Sequence, residues 1–134
     1  YFKSINDRYG HEAGDRVIKA FGNLLSEIAS ESANIARIGG EEFAVMFTAP
    51  SLAAARLYCE NIRNATALGA ADKDRDLPRF AVSIGLASIG ATEQLNDVMR
   101  RADLALYRAK QDGRNRVVVA ETSELSDLLL PAAA

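Results

Sequence analysis

The sequence predicts an α/β fold, a mixed central sheet flanked by helices, and three observations carry that expectation. Three stretches repeat apolar residues at helical spacing, and four short apolar runs have the composition of strands. The two kinds alternate along the chain. At 134 residues, 49% hydrophobic and 25% charged, there is material for one domain with one core. A net charge of −2, from 16 basic and 18 acidic residues, argues against a nucleic-acid or membrane surface held by bulk charge. No apolar run reaches the roughly 20 residues of a membrane span and no leader pattern opens the chain, so a soluble, cytoplasmic domain is expected. The single cysteine, Cys59, has no internal partner and suits a reducing compartment. It reads as a small core hydrophobe ahead of a reactive thiol.

Residues 1–14, YFKSINDRYGHEAG, are rich in Gly, Asn, Asp and Ser and read as a loop. From Asp15, Val17, Ile18, Phe21, Leu24, Leu25 and Ile28 recur at helical spacing, with Arg16, Lys19, Asn23 and Glu27 opposite. Asp15 stands where a carboxylate caps free amides. The loop before it carries Lys3, Asn6, Asp7 and His11, polar side chains able to converge on a helix N-terminus, where anions bind readily. A phosphate-bearing ligand is the functional reading of that density, and simple capping is the plainer one. His11 by itself is more often a solvent-facing loop residue.

Next comes Ile38-Gly39-Gly40-Glu41-Glu42-Phe43, a Gly-Gly turn between the strand runs Asn34–Arg37 and Phe43–Phe47. The spacing predicts a tight hairpin, with positive φ supplied by glycine at its centre. Two adjacent acids at such a tip repel each other and gain nothing from packing. A cation is expected beside them.

Pro50-Ser51 opens a second helix in which Leu52, Ala55, Tyr58, Ile62 and Ala65 keep the period, ending near Leu68-Gly69. Residues 70–79, AADKDRDLPR, read as a charged, solvated linker. Phe80 to Leu86 alternates large and small side chains as a strand does, and its small face of Ala81, Ser83 and Gly85 leaves room for a helix or a ligand. A third helix is predicted from Gln94 to Gln111, with Leu95, Val98, Met99, Ala102, Leu106 and Ala109 inward and Gly113 as its C-cap. Lys110 and Arg114 flank its end, where the helix dipole alone favours cations. Arg116–Val119 forms a last short strand, and residues 121–134 read as a loose tail with one amphipathic turn, Leu125 to Leu130. A helix leading into the hairpin implies a crossover from an earlier strand, so one strand is expected ahead of Tyr1.

The segments FKSIND, GHEAGD, ARIGGEEF, FAVSIGLA, RADLALYRAK and GRNRVVV occur in this order from Phe2 to about Val119. In them the sequence resembles the GGDEF domain of bacterial diguanylate cyclases. The resemblance implies a domain over residues 1–120 with a fold like the palm of polymerases and nucleotidyl cyclases, lacking its first strand, followed by the tail. It also implies condensation of two GTP into cyclic di-GMP with release of pyrophosphate, assisted by Mg2+ or Mn2+. On that resemblance Glu41 is the metal-contacting acid, and Glu42 matches a second characteristic acid of the motif. Gly39 and Gly40 let backbone lie against the nucleotide, and Phe2 and Lys3 match the stretch that holds the β- and γ-phosphates. Lys110 and Arg114 match cations that reach those phosphates. Asn6 and Asp15 match the pair that reads guanine, a carboxylate accepting from N1–H and the 2-amino group, and His11 matches a histidine of the same stretch.

The family's first strand ends in Asp-x-Asp, with a metal ligand as its first Asp, and this sequence begins immediately after it. The 134-residue chain alone is therefore expected to turn over poorly. The inhibitory Arg-x-x-Asp of many relatives is replaced by Ser30 and Ala33, so product feedback there is expected to be absent. With one GTP per domain, two domains must face each other, under control of an N-terminal sensory region. A catalytically silent GTP-binding regulatory module is the alternative function. A purely structural domain would leave Asn6, Asp15, Lys110 and Arg114 without a common purpose.

Overall fold

The computed structural model describes residues 2–29, 31 and 33–121. In chain order it contains α1 (Phe2–Tyr9), α2 (His11–Ile28), β1 (Asn34–Arg37), β2 (Phe43–Met46), α3 (Leu52–Ala67), β3 (Ile84–Leu86), α4 (Leu95–Gln111) and β4 (Val117–Val119). The α/β class is as the sequence predicts. The described strands pair in two ladders, one antiparallel (β1 with β2) and one parallel (β3 with β4). The predicted turn Leu125 to Leu130 lies outside the described residues, as does Ser30.

The chain divides into two compact units, Tyr1–Pro50 with Asn64–Phe80, and Ser51–Arg63 with the residues from Ala81 onward. In the first unit α1 packs on α2. Here the structure corrects the loop expected over residues 1–14. Phe2, Ile5 and Tyr9 are spaced for one helical face, and Ile5 is buried, so a short apolar stripe outweighs the polar composition read as a turn. Gly10 separates the helices with φ 91°, a left-handed value that suits glycine, while its N–H donates to the Asn6 carbonyl at 2.8 Å. The second helix consequently begins at His11 with Gly10 as its N-cap, and Asp15 lies in its second turn, exposed, capping nothing. Val17, Ile18, Leu24 and Leu25 form the buried stripe of α2. Phe21 makes edge-on contacts with Phe43 at 5.5 Å and with Phe80 at 6.3 Å, which sets the hairpin against α2.

The second unit is a βαβ crossover. A parallel pair cannot be joined by a tight turn, and α4 supplies the connection between Leu86 and Val117. Gly85 is what lets α4 lie so close, because a Cβ there would overlap the Ala102 carbonyl and stand 3.0 Å from Leu106 Cα. At Gly85 the strand therefore faces a helix, the plainer of the two alternatives. Its strand is shorter than Phe80–Leu86, since β4 opposes only Ile84–Leu86 and residues 80–83 have no ladder partner. Val98, Ala105 and Ala109 of α4, Leu86, Val117, and Cys59 and Ile62 of α3 are buried. Burial, then the adjacent Glu60, pushes the Cys59 thiol up to about 11, so it stays protonated and inert at neutral pH. No helix among the described residues is long and apolar enough to cross a membrane.

Candidate functional site

The hairpin turn is built differently from the expected primed turn. Ile38 N–H donates to the Glu42 carbonyl at 2.9 Å and Gly39 N–H to the same oxygen at 3.4 Å, so five residues, 38–42, make the reversal. Neither Gly39 nor Gly40 has positive φ. The reason is loop length: with residues 38–42 sharing the turn, no pair of residues has to adopt the left-handed geometry of a two-residue loop. A Cβ at Gly40 would meet nothing within 4 Å, so the turn surface there is open.

Arg37 holds this turn. Its Nε donates to the Gly39 carbonyl at 3.2 Å and its Nη2 to the Gly40 carbonyl at 2.6 Å, which locks the segment carrying Glu41 and Glu42. Glu41 is exposed at the tip, and Glu42 is half-buried. The Glu42 carboxylate lies back over the turn, with Oε2 3.8 Å from where a Gly39 Cβ would stand. Among the described residues no group of three or more His, Cys, Asp or Glu is placed to hold a metal. The pair Glu41 and Glu42 still fits Mg2+, which takes one or two carboxylates and fills the rest of its shell with water and substrate phosphates.

A cleft of about 480 Å³ lies between α2 and the hairpin, lined by Asp15, Ile18, Lys19, Gly22, Arg37 and Phe43. Asp15 is thus brought to the base of the turn. Asn6 approaches α2 from α1: its Oδ1 packs against Gly14, the neighbour of Asp15, and is buried without a hydrogen-bond partner. Phe2 and Lys3 occupy the first turn of α1. His11 is exposed at the start of α2. The helix start expected at Asp15 therefore falls at His11, one turn earlier.

Lys110 and Arg114 belong to the second unit, both half-buried. They stand together, Arg114 Nη1 donating to the Lys110 carbonyl at 3.5 Å. Gly113, Arg114 and Asn115 have φ of 122°, 65° and 47°, three successive positive values. Gly113 acts as predicted at the end of α4, and Arg114 N–H donates to the Ala109 carbonyl at 2.9 Å. The turn is braced by Arg63 of α3, whose Nη1 donates to Asn115 Oδ1 at 3.0 Å, and by Ser83 Oγ, which accepts from Asn115 N–H at 3.2 Å. Neither Arg63 nor Arg37 was singled out by sequence reasoning, because each acts across a turn or between elements. An arginine next to a Gly-Gly turn rich in exposed carbonyls was the one available signal.

Comparison with known proteins identifies the family. Residues 1–116 match the family described as diguanylate cyclase, GGDEF domain. The chain is 40% identical over 121 residues to the probable diguanylate cyclase DgcF of Escherichia coli K12, covering 87% of this chain and 38% of that protein. It therefore spans well under half of that relative's length. Among solved structures, the GGDEF domain of DgcB from Caulobacter crescentus, determined in complex with c-di-GMP, superposes with a TM-score of 0.80 at 36% identity, covering 90% of this chain and 72% of that one. The active GGEEF domain of a diguanylate cyclase from Vibrio cholerae gives 0.79 at 32% identity, covering 91% and 78%. With the hairpin motif intact and the family matched along residues 1–116, this chain belongs to the GGDEF domain family of diguanylate cyclases.

Proposed function

We propose that this domain is the catalytic domain of a diguanylate cyclase, joining two GTP into cyclic di-GMP. The observation that carries the reading is the hairpin turn: two carboxylates at its tip, its backbone locked by Arg37, and Asp15 in the cleft at its base. In each half-reaction a 3′-oxygen to α-phosphorus bond forms, the bond from that phosphorus to the pyrophosphate oxygen breaks, and the hydroxyl proton is lost. Glu41 and Glu42 hold the divalent cation, Mg2+ or Mn2+, which when bound neutralises phosphate charge and favours the deprotonated hydroxyl. Asp15 accepts from guanine N1–H and the 2-amino group, a donor pair adenine does not present, and Asn6 completes the base contact. Backbone N–H groups of Phe2 and Lys3 are assigned to phosphate oxygens, Lys110 and Arg114 are assigned as phosphate-binding cations, and His11 is assigned to the nucleotide. Gly39 and Gly40 leave the turn surface free for the nucleotide, consistent with the open space at Gly40.

Each domain binds one GTP, so the reaction needs two domains facing each other, and dimerisation under an N-terminal regulatory region is its control point. No product feedback through residues 30–33 is expected, as Ser30 and Ala33 lack the charges of an Arg-x-x-Asp site. The test is incubation with GTP and Mg2+ followed by chromatography for cyclic di-GMP. It is run on this chain and on a form extended upstream by a strand ending in Asp-x-Asp. Product from the extended form supports the cyclase. GTP binding by calorimetry with no product from either form, at concentrations that give dimers, would replace it with a silent GTP-binding module.

A further inference from the structure

Gly14 presents a physical oddity. It is buried in the interior of α2 with ordinary helical φ, so its backbone does not need glycine, and glycine is a poorer helix former than alanine. What needs glycine is the neighbour. A Cβ at position 14 would overlap Asn6 Oδ1, stand 2.9 Å from Asn6 Cγ and 3.0 Å from Phe2 Cε2. Gly10 and Gly40 have open space at the same point, and Gly22 meets only Phe43 at 3.4 Å. Among the helical glycines of the first unit, only Gly14 is occupied by a polar side chain.

The occupant matters. Asn6 Oδ1 is buried with no hydrogen-bond partner, although a buried amide oxygen left unpaired is costly. It rests on the residue next to Asp15, so the bare Cα of Gly14 sets how closely the Asn6 side chain approaches this turn of α2. We propose that Gly14 is a positioning residue for nucleotide recognition: its missing side chain forms the seat that takes the Asn6 amide oxygen and so fixes the Asn6 side chain against the turn of α2 that carries Asp15. This rests on the guanine-reading role given above to Asn6 and Asp15. Gly14 touches no substrate itself. It acts through Asn6, whose tolerance for movement it removes.

The test is a double-variant cycle on the chain, with Gly14→Ala, Asn6→Ala and the two combined. Binding of a non-hydrolysable GTP analogue and its ATP counterpart is measured by calorimetry, and unfolding by a thermal scan. Gly14→Ala is expected to weaken GTP binding at least tenfold and to erode preference over ATP, without the rise in midpoint that alanine ordinarily brings to a helix. With Asn6 already alanine, the same substitution is expected to change GTP affinity less than twofold and to raise the midpoint, since the overlap is gone. If Asn6→Ala loses GTP while Gly14→Ala binds as the parent does, the seat is refuted and the guanine reading stands. If Asn6→Ala keeps both affinity and GTP preference, the guanine reading itself falls and takes this role with it. Should Gly14→Ala fail to fold, folding of the combined variant supports the seat. Failure of both variants to fold would overturn it in favour of packing against Phe2.

Discussion

The hairpin turn of the first unit and the two ends of α4 in the second solve opposite problems. The hairpin tip is exposed from Arg37 to Glu41, and what shapes it is one exposed arginine bonding two carbonyls. The ends of α4 are braced from inside. From within the helix Arg101, 6% exposed, reaches back to bond Glu93 twice, at 2.7 and 2.6 Å, and the Ser88 carbonyl, and also bonds the Glu121 carbonyl. After it, Arg63 and Ser83 hold the left-handed turn that carries Arg114. At the tip Glu41 is left open to solvent. Arg114 is mounted on a left-handed backbone conformation that would relax without bracing. The lesson is that one fold uses arginine as a fixture in two settings, an exposed turn and a buried helix end.

The largest expected effect is on the braced side. Arg101→Ala removes one member of a buried, bidentate pair and should cost about 3–5 kcal/mol in chemical denaturation, most of it from the stranded Glu93. The same pair has a pH signature. The Arg101 hydrogen bonds hold the Glu93 carboxyl below the usual carboxylate range, outweighing desolvation. Stability from this pair is therefore present above the unfolded carboxylate range and is lost as pH falls through the folded value, which denaturation across acid pH will read. A flat profile there would mean the pair adds nothing.

The open side predicts the reverse pattern. In the extended form described above, Glu41→Gln should lower turnover at least about 100-fold by removing a metal carboxylate, while leaving the thermal midpoint unchanged. A large loss of stability would show that the tip carries structural load after all. On the braced side again, Asn115→Ala loses the Arg63 partner and puts alanine at φ 47°, and should cost about 1–2 kcal/mol while weakening GTP binding. Asn115→Gly keeps the conformation and should recover roughly half of that, separating strain from the hydrogen bond. The smallest effect is expected at Arg37→Ala, about 1 kcal/mol or less because the bonds are exposed. Its activity loss should exceed its stability loss if the turn is held for chemistry.

Much of this protein is legible in its residues one by one. The periodicity of α2, α3 and α4, the Gly-Gly turn with its acids and the Gly113 cap are each encoded within a few positions. Such signals survive because helices and turns answer to neighbours along the chain. The misreadings share a cause. In α1 the burial of Ile5, with α1 packed on α2, outweighed a composition of turn formers. Asp15 moved from cap to cleft because the helix began at His11, four residues sooner than expected.

The chain by itself determined the family, the α/β class and the identity of the polar residues available for a nucleotide and a metal, since these follow from residue type and short-range spacing. Tertiary packing alone decided that Gly14 seats Asn6, that Gly85 admits α4, that β3 stops at three residues, and that Arg37 and Arg63 brace turns. The physical reason is steric and directional. Whether a missing Cβ or a guanidinium matters depends on which atoms, up to 52 residues away in the chain for Arg63 and Asn115, arrive within bonding distance, and no local pattern carries that information.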